Sequence, residues 1–170
     1  SAKISSFPDQ IFGLRYNLFT DEMEFKNKDG KVYSLKKSNE DFEVTFINKN
    51  ATYKLYNYAY KNENRLGYFL VLNGGKNSIL KKQKVNFIKE QPSNSGYENH
   101  RPAEYKRVAD TYYLKIGNSK TVVEAPKNKK KLAELFPDKK AEILKFIKSN
   151  KIKLSKETDL IKLINFINSL

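Results

Sequence analysis

Cysteine is absent from the 170 residues. That single absence removes a disulfide framework, a thiolate metal site and a cysteine nucleophile. Histidine is nearly absent as well: His100 stands alone, so no second histidine or cysteine exists to complete a zinc site of the usual kind, and a Ser/His triad would have to be built on this one residue. Beside Arg101 and Pro102 in a loop-like stretch, it reads as a solvated residue. Long apolar runs are missing too, because lysine interrupts each within a few residues and none approaches the ~20 apolar residues a membrane-spanning helix requires. Acidic residues are scarce against basic ones, 19 Asp and Glu facing 33 Lys and Arg for a net charge of +14. Such a surplus disfavours cationic partners and favours polyanions: nucleic acid, anionic glycans or acidic lipid surfaces. The lysines are spread through the chain among asparagines, however, so solubility is served as much as recognition.

What is present is clearest at the C-terminal end. Pro137 and Asp138 suit a first helical turn, where a missing amide costs nothing and an acid meets the positive end of the helix dipole. Ile143, Leu144 and Ile147 then share one stripe, and Ser149 with Asn150 ends it. Lys151 to Leu154 alternate polar and apolar, predicting an extended connector with Ile152 and Leu154 inward. Ser155 is placed to cap the next helix, whose start carries Glu157 and Asp159 and whose stripe is Leu160, Leu163, Ile164 and Ile167. Ahead of both, Leu132, Leu135 and Phe136 predict a short amphipathic turn capped by Asn128. These stripes read as core packing, the helices shielding the apolar side of a curved sheet.

The preceding chain is strand-like. Residues 1–10, with Pro8, lack a period and read as irregular or as an edge. Leu14, Tyr16 and Leu18 alternate with polar residues, and so do Met23 and Phe25, with Val32 to Leu35 following the Asp29-Gly30 turn: a three-strand meander. Phe42, Val44 and Phe46 form another alternating row, and the aromatic stretch 53–60 puts Tyr56, Tyr58 and Tyr60 on one side. Residues 66–72 are almost continuously apolar, as expected of a central strand buried on both faces. Residues 79–88 read as one long lysine-bearing strand, 91–102 as a long loop, and 105–108, 111–116 and 121–124 as three more strands. The sum is about nine or ten short strands before two or three helices, an α+β fold with an antiparallel roll or partly open barrel. We expect a single domain over residues 1–170, with a β-rich body at 1–126 and the helical segment at 127–170.

Candidate chemistry is sparse. Asp21, Glu22 and Glu24 cluster at a turn, where paired carboxylates serve glycoside hydrolysis or calcium, although acids at turns are commonly solvent-exposed. Residues 65–71 echo the aromatic strand of RNA-recognition domains, but that fold interleaves helices with strands. Gly74 and Gly75 lack the Lys and Ser or Thr of a phosphate loop. Two binding candidates remain. Tyr53, Tyr56, Tyr58 and Tyr60, flanked by Lys54 and Lys61, make a stacking platform for bases or sugars. Lys127, Lys129, Lys130 and Lys131 lie near a helix start, where free amides also attract anions.

Five phrases in this order, RYNLFTDEMEF (15–25), GKVYSL (30–35), GYFLVL (67–72), DTYYLK (110–115) and the whole of 135–170, resemble a group of small exported proteins of Bacteroidetes, particularly flavobacteria. The resemblance implies an envelope or extracellular location after removal of a signal peptide, in keeping with a chain that opens at Ser1. It implies no activity, because no established function or catalytic motif attaches to that group. The expectation is a non-enzymatic binding or structural module of the cell envelope, without cofactor or metal, contacting an anionic or carbohydrate component. A nucleic-acid binder and a carboxylate-dependent hydrolase are the alternatives.

Overall fold

The computed structural model describes residues 1–38, 43–92 and 100–170, so Phe42 of the alternating row and 93–99 of the expected loop lie outside the described residues. The chain opens with β1 (Ala2–Ile4), β2 (Phe7–Phe12), β3 (Leu14–Asn17), β4 (Glu22–Lys26) and β5 (Val32–Ser34). It continues with β6 (Glu43–Phe46), a 3-10 turn at Ile47–Lys49, β7 (Ala51–Tyr60), β8 (Glu63–Val71) and β9 (Ser78–Lys82). Then come β10 (Val85–Ile88), β11 (Glu104–Arg107), β12 (Thr111–Lys115) and β13 (Thr121–Glu124). Helices α1 (Lys129–Glu134), α2 (Lys140–Ser149) and α3 (Glu157–Ser169) close the chain, with a 3-10 turn at Pro137–Lys139 leading into α2. The fold is α+β, its strands mostly antiparallel, with a partly closed barrel and the C-terminal helices packed on it.

The long strand β7 organises the sheet. One of its edges is taken by β8 from Tyr53↔Leu70 to Tyr60↔Glu63. The other edge is shared, the first half pairing antiparallel with β6 and the second half pairing parallel with β13 at Asn57↔Thr121 and Tyr58↔Val122. The parallel pairing closes a five-membered ring, β7-β8-β9-β12-β13, while β6, β1 and β2 continue outward from the first half as an open sheet. Each ring strand sends one side chain into the interior: Tyr58, Phe69, Leu80, Tyr113 and Val122. Their rings meet edge to face, Phe69 lying 5.0 Å from Tyr113 and 5.3 Å from Tyr58, the arrangement that aromatic quadrupoles favour.

Because side chains alternate along a strand, each neighbour of an interior residue faces outward. Ile79 and Leu114 do so on β9 and β12, and there they meet Leu132, Ile143, Ile147, Ile152, Leu160, Leu163 and Ile167 of the helical segment. The helices thus shield the apolar outer face of two strands, as their stripes predicted, and the barrel fills its inside by itself. On the other face of β8, Tyr68 joins Met23, Val44, Tyr53, Ala2 and Ile4 in a separate core beneath the three-stranded sheet β3-β4-β5. Residues 66–72 are therefore buried on both faces, as their unbroken apolarity required, Tyr68 entering one core and Phe69 another.

Some expectations need correction. Residues 79–88 are two strands rather than one: Gln83 and Lys84 interrupt them, β9 staying in the ring and β10 leaving to form a ribbon with β11. The opening residues are more ordered than their lack of period suggests, since β1 lies between β2 and β6 and only β2 is an edge. Ser155 does not cap α3, where Lys156 is the N-cap and no side chain caps. Asp159 instead turns back to accept from the Lys153 amide at 2.9 Å, fixing the connector that buries Ile152 and Leu154. Helix α3 is pinned to the β8-β9 turn by Asn168, which accepts from the Asn77 amide (2.9 Å) and side chain (3.0 Å) and donates to the Asn77 carbonyl (2.8 Å).

Candidate anion-binding mouth of the barrel

Lys82, last residue of β9, lies in phase with Leu80 and so points into the ring at its open end. Its ammonium sits 4.8 Å from the centre of the Phe69 ring and 5.3 Å from that of Tyr58. It donates to the Tyr68 carbonyl at 2.9 Å and to Asp21 Oδ1 at 2.7 Å. Asp21 reaches this place from the β3-β4 hairpin. Asn17 Oδ1 accepts from the amides of Phe19 and Thr20 (3.0 and 3.3 Å), which tightens the turn. Asp21 leaves it in the left-handed conformation, φ 59°, one that aspartate tolerates better than most residues.

The Asp21 carboxylate is a hub. Its Oδ1 also accepts from the Tyr16 hydroxyl (2.6 Å) and the Tyr68 amide (3.3 Å), and its Oδ2 accepts from Lys37 Nζ (2.9 Å). Burial raises the Tyr16 phenol far above the usual range, and the facing Asp21 carboxylate adds to the shift. Burial lowers the Lys82 ammonium to about 8, against the pull of Asp21, which favours its charge. Gly67, opposite on β8, leaves the room: a Cβ there would lie 2.6 Å from Lys82 Nζ and 2.8 Å from Asp21 Oδ2.

Above the hub opens a cavity of about 480 Å³ whose walls include Tyr58, Tyr60, Tyr113, Thr111 and Gln83. Among the described residues, four cationic side chains line it, Lys37, Arg65, Lys82 and Lys84, against the single carboxylate of Asp21. At its rim Tyr60 is surrounded by cations: Arg65, Lys84 and Lys61 lie 4.8, 5.2 and 5.6 Å from its ring centre. Lys84 donates to its hydroxyl at 3.3 Å, and that bond foremost holds the phenol below the usual tyrosine range. Beside the rim, Phe19, Tyr105 and Phe87 form an exposed aromatic file, with centroids 5.4 and 5.1 Å apart and Tyr105 65% exposed.

The tyrosine row is thereby divided. Tyr53, at an odd position, faces the opposite side from Tyr58, packs in the core under the three-stranded sheet and donates to Gln83 Oε1 at 2.7 Å. Tyr58 is buried inside the ring. Tyr56 lines a second cleft of about 260 Å³ with Lys54, Lys115 and Lys120. Only Tyr58 and Tyr60 reach the mouth, so the row is no continuous stacking platform. Lys127, Lys129, Lys130 and Lys131 are exposed and lie outside the mouth. The Asn128 side chain already accepts from the amides of Lys130 and Lys131, leaving these two unavailable to an anion. His100 is exposed and pairs with Glu90 at 2.8 Å.

The turn acids do not act together. Asp21 is drawn inward, contrary to the expectation of a solvated turn acid; Glu24 is buried and accepts from Asn17 and Arg15, which hold its carboxyl below the usual range; Glu22 accepts from Ser34. Only Asp21 of the three lines the mouth. Sequence reasoning did not identify Lys82, Lys37, Arg65 or Lys84 as site residues, although the period-two phase of Lys82 with Leu80 was a signal for the first of them. Comparison with family models, with curated proteins and with solved structures returns no match.

Proposed function

We propose that this chain is a non-enzymatic, exported binding module of the cell envelope that takes an anionic, carbohydrate-like ligand in the mouth of its barrel. The observation that carries this reading is the imbalance of the lining at the mouth, four cations to one carboxylate around tyrosine rings, with Arg65 also paired to Glu63 at 2.7 Å. Ammonium and guanidinium groups supply donors for carboxylate, sulfate or phosphate, and the ring of Tyr60 at the rim is the aromatic surface against which a sugar packs. Export rests on the resemblance of the sequence to exported proteins. The test is retention on a sulfated glycan column across a salt series, with Arg65→Gln/Lys84→Gln beside the wild type. The double variant elutes at lower salt, while a variant with Lys127, Lys129, Lys130 and Lys131 all changed to Gln loses only the smaller retention expected of a uniform charge change. Equal losses in both variants would reduce the mouth to one basic surface among many.

A second reading is favoured by the exposed file of Phe19, Tyr105 and Phe87, which runs along a ribbon carrying Lys106 and Arg107. Rings beside cations are the surface on which single-stranded nucleic acid stacks. A gel shift with a short single-stranded oligonucleotide that disappears in Tyr105→Ala and persists in Arg65→Gln/Lys84→Gln would favour it over the glycan.

A further inference from the structure

Resting on that reading of the mouth, we propose that Lys82 captures its ligand covalently and reversibly, so that the ligand class is an anionic aldehyde, such as the open-chain reducing end of an acidic sugar. The geometry is that of an amine prepared for carbonyl addition. Nζ lies at the floor of the cavity, its side chain 12% exposed, between the rings of Tyr58 and Phe69, where its charged form is poorly solvated. A second ammonium, Lys37, shares the Asp21 carboxylate at 2.9 Å and further disfavours charge on Lys82. Burial and this neighbour bring the amine to about 8, close to neutrality, where an uncharged nucleophile is populated. Lys37 also meets a ring, that of Tyr68 at 5.7 Å, and shares the carboxylate and the cavity, but Lys82 is the more buried of the two, 12% against 25% exposed, and is the one set between two rings.

The step balances without any oxidant or reductant. The Nζ lone pair forms a C–N bond to the aldehyde carbon, and the carbonyl π pair moves to oxygen. Asp21, 2.7 Å away, takes the two protons of the attacking nitrogen in turn and delivers both to the former carbonyl oxygen. The first converts the alkoxide to the carbinolamine hydroxyl, and the second lets that hydroxyl leave as water as the nitrogen lone pair forms C=N. Hydrolysis reverses each move, so the result is a tethered ligand and no turnover. Lys84 and Arg65 at the rim hold the anionic group, and Gly67 leaves space beside the nitrogen.

The experiment uses the full chain with pyridoxal 5′-phosphate, an aldehyde bearing a phosphate, and with pyridoxine 5′-phosphate, the same molecule with an alcohol in place of the aldehyde. After borohydride reduction and proteolysis, mass spectrometry is expected to find one saturable adduct on Lys82 at aldehyde concentrations where other lysines are at least tenfold less modified. Lys82→Arg, which keeps a cation beside Asp21 but has no amine to form C=N, is expected to lose that adduct. The same trapping with glyceraldehyde 3-phosphate and with galacturonate separates a phosphorylated aldehyde from a sugar acid as the preferred class. Label spread evenly over the lysines of the wild type overturns covalent capture, and needs no variant to fold. If pyridoxine 5′-phosphate still binds in that case, the anion-binding mouth survives; if it fails to bind while Lys82 is selectively trapped, the mouth reading falls and the reactive amine remains.

Discussion

Replacing Gly67 by alanine reverses the usual sign of a glycine substitution. In a strand free of crowding, Gly→Ala stabilises by about 0.5–1 kcal/mol, because glycine loses more backbone freedom on folding. Here the new methyl would stand 2.6 Å from Lys82 Nζ, 2.8 Å from Asp21 Oδ2 and 2.9 Å from Tyr58 Cε1. None of the three can retreat alone. Lys82 is bonded to Asp21 and the Tyr68 carbonyl, Asp21 to Tyr16 and Lys37, and Tyr58 is wedged against Phe69 and Tyr113. Overpacking costs about 1–3 kcal/mol, and loosening one charge-assisted bond adds about 1.5–3 kcal/mol. After the backbone gain the net effect is a destabilisation of about 1.5–5.5 kcal/mol. Urea unfolding monitored by circular dichroism measures it. In the double variant Gly67→Ala/Lys82→Met the ammonium is gone, and the combined loss should fall short of the sum of the singles by about 0.5 kcal/mol or more. A Gly67→Ala midpoint equal to or above that of the wild type would refute the packing of the hub.

Four further outcomes are expected. Lys82 is lowered in the folded protein to about 8 from its ordinary 10.5, so between those values the unfolded chain binds more protons and stability rises with pH. Burial raises the phenols of Tyr68 and Tyr113 from 10 to about 12, so stability is fully present below pH 10 and is lost towards pH 12. Urea midpoints against pH should therefore climb above pH 8 and fall above pH 10, and a monotonic curve would contradict one of the two shifts. Asn168→Ala unpins α3 from the β8-β9 turn and strands Asn77, at a cost of about 1–3 kcal/mol, read from the urea midpoint. Asn128→Ala removes the cap of α1 and costs about 1 kcal/mol by the same assay. Leu163→Ala, in the fully buried stripe of α3, costs about 2–5 kcal/mol, and a loss under 1 would mean that the helix is not docked as described.

Much of this fold was legible in local pattern, because alternation and helical spacing report burial directly. The stripe Leu160, Leu163, Ile164 and Ile167 is buried, Asn128 caps α1, and 66–72 lies at the centre of the sheet. What pattern could not reach were facts about neighbours distant in sequence. The split between β9 and β10 depends on β11, whose pairing draws Val85 away from the ring. The parallel meeting of β13 with β7 has no local signature, and without it Tyr58 reads as a platform residue rather than as barrel filling. The mouth was missed for the same reason. Asp21 and Lys82 are 61 positions apart, and only register brings them together. The rule that turn acids are solvated failed at Asp21 because its left-handed backbone aims the carboxylate inward.

The shared edge of β7 also bears on how the chain matures. Since β13 closes the ring against Asn57 and Tyr58, a nascent chain leaves Tyr58 and Phe69 uncovered until β13, which starts at Thr121, about 50 positions after β8 ends at Val71, has been synthesised. The open sheet built on the first half of β7 needs only the residues up to β8, so it can assemble early and template the rest. During that interval the half-built barrel is the sticky species, and a chaperone would act on it rather than on the finished protein.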